Sequence, residues 1–192
     1  KYGNDESHSV ALDKLGASHW QKRKATAKNK IKDAAKKLIS IAAKRFQSES
    51  YKINFDQSDY DKFSSTFPFI ETDDQLNAIN DVIADFNKKI PCDRLIVGDV
   101  AFGKTEVIIR AIYLASKSNL QSIVLVPTTL LAKQHYENFV KRFSTFGINI
   151  AQISRFVSNK DKIKIYEEIQ SGKAKIIVGT HALLNDKIIF KK

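Results

Sequence analysis

The rhythm of hydrophobic positions changes along the chain. Residues 1–16 are polar, with turn signals at Gly3-Asn4-Asp5 and Gly16. Residues 17–48 contain no Gly or Pro, and Ala27, Ile31, Ala34, Leu38 and Ile41, with Arg45, recur at three- and four-residue steps. The first five make one apolar stripe on a long helix. Residues 49–66, polar and aromatic with Ser-rich patches, predict a connector. From Phe67 onward strand-length apolar runs alternate with helical ones. Helices are predicted over 75–87, 104–117, 128–143 with Thr128 as N-cap, and 160–170. Strands are predicted over 94–97, 122–126, 148–153 and 175–178. Continuous apolar strands between helices imply an α/β fold, a parallel sheet with helices on both faces. The division that follows is a lead (1–16), a long basic helix with its connector (17–66), and an α/β lobe (67–192).

Composition adds three constraints. With 192 residues, 43% of them hydrophobic, the chain holds one solid core plus an appendage. Its net charge is +11, and residues 17–48 supply +9 of that through ten basic residues against Asp33 alone. Such a balance suits a phosphate-rich partner. Cys92 is the single cysteine, so no internal disulfide forms, and His8, His19, His135 and His181 lack zinc-ligand spacing. No apolar run approaches a membrane span and no signal-peptide core is present, so no membrane association and a cytoplasmic location are expected. The chain starts at Lys1, contains no Met, and stops after a strand-like run, which suggests a piece of a longer protein.

The strongest chemical signal is Gly98-Asp99-Val100-Ala101-Phe102-Gly103-Lys104-Thr105, a match to G-x-x-x-x-G-K-[ST] between a predicted strand and a predicted helix. Backbone N–H groups of such a loop point at phosphate oxygens, and glycines permit close approach. Lys104 is expected to pair with the β- and γ-phosphates and the Thr105 hydroxyl to ligate Mg²⁺. These two are the catalytic candidates, and Glu106 completes the set expected around the nucleotide. A guanine site is disfavoured: Asn159-Lys160-Asp161-Lys162 has lysine where aspartate belongs, and reads better as a charge cluster opening a helix.

The chain is recognisable through an ordered series of motifs. Phe67-Pro68-Phe69-x-x-Thr72-x-x-Gln75 precedes Gly98-Asp99-Val100-x-Phe102-Gly103-Lys104-Thr105-Glu106-Val107. Val126-Pro127-Thr128-Thr129-Leu130-Leu131-Ala132-x-Gln134-His135-Tyr136 follows, then Ser154-Arg155-Phe156 and Gly179-Thr180-His181-Ala182-Leu183-Leu184. Together they resemble superfamily 2 DNA translocases of the RecG and transcription-repair coupling type. Leu12-Asp13-Lys14-Leu15-Gly16-x-x-x-Trp20, leading into the basic helix, favours the coupling-factor family over RecG.

The resemblance implies a RecA-like first motor lobe preceded by a relay helix, with residues 1–16 ending an RNA-polymerase-interacting module. It implies ATP and Mg²⁺ as cofactors, and double-stranded DNA and RNA polymerase as partners, with excision-repair proteins bound through domains outside this chain. Gln75 resembles the glutamine that reads the adenine edge; a plain surface helix position is the alternative. For Phe69, stacking near the base and core packing are equal readings. Thr128, Thr129, Arg155 and Thr180 resemble positions that contact the DNA backbone or couple it to the ATP site. The bland alternatives are a helix cap for Thr128, a turn residue for Thr180 and a surface cation for Arg155. His135 and Tyr136 read as helix packing.

Ala101 stands where the family has glycine; if φ is positive there, alanine costs on the order of 1 kcal/mol. The Asp-Glu box that holds the metal in the family, and the second lobe with its arginine finger, are not in the sequence. The chain by itself is therefore expected to be inactive, and the enzyme to be the full-length ATP-dependent translocase. The apolar stripe of the basic helix suits docking as a relay, with its lysines as a solvated face. Two rivals stand beside the coupling factor: a RecG- or PriA-like helicase, and a non-hydrolysing nucleic-acid-binding or interaction module.

Overall fold

The computed structural model describes residues 18–154, 157–186 and 188–191. By packing the chain forms two units, Lys1–Glu49 and Ser50–Lys192.

In the first unit, helix α1 spans Ser18–Gln47, within a residue of the stretch free of Gly and Pro. Lys44 and Arg45 occupy its last turn, where cations favour the helix dipole. Its stripe residues Ile31, Leu38 and Ile41 are exposed.

The second unit begins earlier than the hydrophobic pattern suggests. Residues 49–66, expected as a connector, contain helix α2 (Gln57–Ser64), N-capped by the Asp56 carboxylate, which accepts from Asp59 N. Phe63 from α2 is fully buried, stacked on Tyr113 with ring centroids 3.9 Å apart and an interplanar angle of 8°. The Tyr113 hydroxyl donates to Asp59 O at 3.1 Å. A Ser-rich sequence hides this because only Tyr60 and Phe63 of the helix face inward.

Helix α3 (Asp73–Phe86) starts with a reciprocal cap: Thr72 Oγ1 accepts from Gln75 N, and Gln75 Oε1 accepts from Thr72 N. Helix α4 (Lys104–Lys117) instead starts at Gly103, whose φ is +68° and which offers no side-chain cap. Strand β1 (Ser122–Leu125), helix α5 (Thr129–Phe143), strand β2 (Asn149–Ile153), helix α6 (Asn159–Gln170) and strand β3 (Ala174–Gly179) complete the order. Thr128 is the N-cap of α5, its hydroxyl accepting from Leu131 N.

The sheet is parallel in the order β1-β3-β2. Side chains of the central strand alternate between two cores, as a period of two requires. Ile176 and Val178 join Phe63, Tyr113, Leu114, Phe139 and Phe143, under α2, α4 and α5. Ile177 joins Ala151, Ile153 and Ile169, under α6.

One predicted strand is not formed. Residues 94–97 carry no regular secondary structure and pair with no strand, and Leu95 and Val97 are 85% and 83% exposed. Their β-branched, apolar character satisfies the sequence criterion. A strand also needs a neighbour for its ladder, and the sheet described here has none beside this segment.

Candidate nucleotide-binding site

The segment before the glycine loop is held by side chains instead of a ladder. Asp85, near the end of α3, accepts from Arg94 Nε at 2.5 Å and from Lys88 Nζ at 2.6 Å, with the Cys92 thiol donating at 3.4 Å. The Arg94 and Lys88 cations hold its carboxyl well below the usual carboxylate range. Arg94 also pairs with Asp81 at 2.8 Å. The chain thus reaches Gly98 already fixed against α3.

The loop itself has two residues in the left-handed region, Ala101 (φ +67°) and Gly103 (φ +68°). The conditional cost anticipated at Ala101 therefore applies. Gly103 is favoured by its φ, and a Cβ there would lie 2.3 Å from Gln75 Nε2, so that any other residue would also displace the Gln75 amide. Lys104 lies across the loop, its ammonium donating to Gly98 O at 2.6 Å and to Asp99 O. Asp99 turns its carboxylate back to accept from Val100 N at 2.7 Å. Val100 and Phe102 are exposed.

Gln75 is no mere surface residue. Its Nε2 donates to Phe102 O at 3.0 Å, so the residue tied into the α3 cap also grips the glycine loop. A glutamine amide has two N–H donors and two acceptor lone pairs. One of each is used here, which leaves one donor and one acceptor.

Beside these groups opens a cleft of about 710 Å³. Phe67, Pro68, Phe69, Ile70, Thr72 and Gln75 form one wall. Ala101, Gly103, Thr105, Glu106 and Ile109 form the floor, and Asn138, Lys141 and Arg142 of α5 the far wall. Phe69 is 72% exposed, its ring edge-on to Phe67 with centroids 5.5 Å apart, so the core-packing reading of Phe69 is wrong.

Glu106 does not offer its carboxylate to a ligand. Only 4% exposed, it accepts from Arg110 Nε at 2.5 Å and from Arg142 Nη2 at 2.8 Å. Arg110 in turn donates to Glu71 and to Ser64 O. Burial raises the Glu71 pKa, but a backbone hydrogen bond and the Arg110 guanidinium outweigh that and hold it below its ordinary value. The sequence signal for this network was faint: Glu106 and Arg110 stand one helical turn apart, while Glu71 and Arg142 join only through folding.

The model matching residues 72–192 is that of the DEAD/DEAH box helicases. The chain belongs to this helicase family. Among curated relatives, a "Transcription-repair-coupling factor" of Rickettsia conorii is 49% identical over 194 residues, covering 99% of this chain and 17% of the relative. Those of Escherichia coli and Bacillus subtilis are 42% and 39% identical, each covering all of this chain. The chain thus spans about a sixth of the length of these relatives. A solved structure of RecG bound to a three-way DNA junction superimposes with a TM-score of 0.74 at 31% identity, covering 80% of this chain and 21% of that one. The parallel α/β lobe is RecA-like.

Membership in the helicase family implies ATP and a divalent metal. The donor set fits the phosphate half of such a ligand, since α4 opens without a side-chain cap and Lys104 stands beside it. Thr105, next along α4, carries a hydroxyl that would suit a metal keeping several waters. Among the described residues no cluster of three His, Cys, Asp or Glu could hold a metal.

The residues expected to meet nucleic acid follow the strands of the sheet. β1 and β2 each pair with β3 so that Leu125 and Ile153 both align with Gly179. Thr128 and Thr129 after β1, and Thr180 after β3, therefore leave the sheet at its carboxyl edge, where open α/β sheets bind ligands. Thr129 lines a depression of about 510 Å³ with Lys133, Tyr136, Gln152 and Ser154. Thr128 is exposed, and its hydroxyl is the α5 cap. Thr180 is 6% exposed, which suits coupling through the interior better than surface contact. Arg155 lies outside the described residues. Among the described residues no helix is long and apolar enough to cross a membrane.

Proposed function

We propose that this chain is the nucleotide-binding lobe, with relay helix α1, of an ATP-driven double-stranded DNA translocase of the transcription-repair coupling type. The observation that carries the nucleotide reading is the Gln75–Phe102 hydrogen bond, which holds the Gln75 amide against the glycine loop and so supports a base-reading role for it. The amide's remaining donor and acceptor match the adenine edge, whereas guanine presents the reverse pattern. Lys104 swings from the loop carbonyls to the terminal phosphates, and Thr105 holds Mg²⁺. Bound there, the metal neutralises phosphate charge. Thr128, Thr129, Arg155 and Thr180 contact the DNA backbone or couple it to the ATP site, reading no sequence.

The full-length protein, on this reading, displaces stalled RNA polymerase in the cytoplasm, contacting it through the module that ends near residue 16, and brings in excision-repair proteins. Support comes from identities of 39–49% to relatives named as coupling factors that run through the basic helix as well as the lobe. A RecG-like helicase is the second reading, favoured by the structural likeness of the lobe. Retention of RNA polymerase by the full-length protein distinguishes the two.

The nucleotide site is tested with Lys104→Ala. Mg-ATP is expected to raise the melting temperature of the parent and leave that of the variant unmoved. Equal shifts in the two proteins would refute the assignment.

A further inference from the structure

Four charges, two of each sign, are gathered under the cleft. Side-chain exposure is 4% for Glu106, 4% for Arg110, 10% for Arg142 and 22% for Glu71. Burying ion pairs this deeply is often no more stabilising than apolar packing of the same volume. The cluster therefore asks for a geometric task, and the positions of its members supply one.

Glu106 directly follows Lys104-Thr105 on the first turn of α4. Glu71 directly precedes Thr72, the N-cap whose partner Gln75 grips Phe102 O. Arg110 touches both carboxylates, through Nε to Glu106 and Nη2 to Glu71. Its guanidinium also lies 5.8 Å and 6.0 Å from the ring centroids of Tyr60 and Phe67, which leaves it little room to turn. Arg142 clamps Glu106 from the α5 side. The wall that carries Gln75 and the floor that carries the phosphate loop are thus braced by one rigid fork.

We propose that Arg110 is a positioning residue for base selection, holding Glu71 and Glu106 together so that Gln75 meets the base of a nucleotide whose phosphates sit on the glycine loop. It touches no ligand itself. The proposal rests on the nucleotide reading above. A guanidinium fork is required, because an ammonium at the same place is a point charge that cannot span both carboxylates in one geometry.

The test is isothermal titration calorimetry on the full chain with Mg-ATP, Mg-GTP and magnesium tripolyphosphate. The proteins are the parent, Arg110→Lys and Glu71→Gln; the last breaks the brace at its more exposed end and keeps the test open if the buried substitution misfolds. The ATP-over-GTP preference is expected to narrow by about fivefold in the variants, the scale of one displaced hydrogen bond. Tripolyphosphate affinity should stay within about twofold of the parent. Equal losses for all three ligands would reduce Arg110 to a structural role, and an unchanged base preference would overturn the proposal too. A parent that binds ATP without preferring it to GTP has the same consequence. A parent that binds neither ATP nor tripolyphosphate overturns the nucleotide reading and this inference together, which sets that failure apart from the others.

Discussion

Ala101 holds a φ of +67° in the middle of the glycine loop. An L-residue with a Cβ is strained there, by about 1 kcal/mol relative to glycine. Gly at this position relieves the strain, and Ala101→Gly is expected to raise the melting temperature by about 2–4 °C, the shift that 1 kcal/mol gives in a chain of this size. Scanning calorimetry of the two proteins decides it, and a lower value for the variant would mean the loop is unstrained. Gly179 is under the opposite constraint. A Cβ there would lie 2.4 Å from Ile153 O and 2.9 Å from Leu183 Cγ, so close approach of two backbones, and not φ, requires the glycine. Gln75 has a third kind of constraint, since one side chain serves a helix cap and a loop carbonyl at once.

Among elements, α3 does more than cover the core. Its start carries Gln75 and its end carries Asp85, so one helix touches the glycine loop directly and fixes the segment that leads into it. Asp85 has a folded-state pKa depressed from the ordinary 3.8 by Arg94 and Lys88. A depressed carboxylate contributes its stability above the unfolded pKa, and the contribution is lost as pH falls toward the folded value. The melting temperature of the parent should therefore exceed that of Asp85→Asn at neutral pH, and the gap should narrow progressively as pH falls below about 4. A gap that stays constant across the acid range would show that Asp85 acts through packing alone. Helix α2 has a quieter part: with Phe63 between Tyr113 and Phe143, it closes the core under α4 and α5.

At the scale of the whole molecule, protection is uneven. β3 is paired on both sides, and Ile176, Ile177 and Val178 have no exposure at all. Residues 94–97 have no ladder, and Leu95 and Val97 stay exposed although the segment leads into the glycine loop. Hydrogen exchange should therefore be slowest in 176–178 and fast in 94–97. Slow exchange in the second segment, matching β3, would show that it pairs with the sheet in solution.

The sequence by itself determined what depends on neighbours along the chain. The start of α5 followed from Thr128, whose side chain bonds an amide three residues on. The glycine loop was legible as a motif because its glycines, lysine and threonine are contiguous. Only the tertiary structure decided the rest, because pairing and burial join residues far apart in sequence. Residues 94–97 have strand chemistry but no strand beside them, and residues 49–66 read as a linker until Phe63 meets Tyr113. Phe69 carries the same ring as Phe63, yet one is exposed and the other buried, a difference no local pattern contains. Glu106 is contiguous with the nucleotide motif, but Arg110 and Arg142 turn its carboxylate inward. An ion pair between residues 39 positions apart, such as Glu71 and Arg110, exists only once the chain has closed that distance.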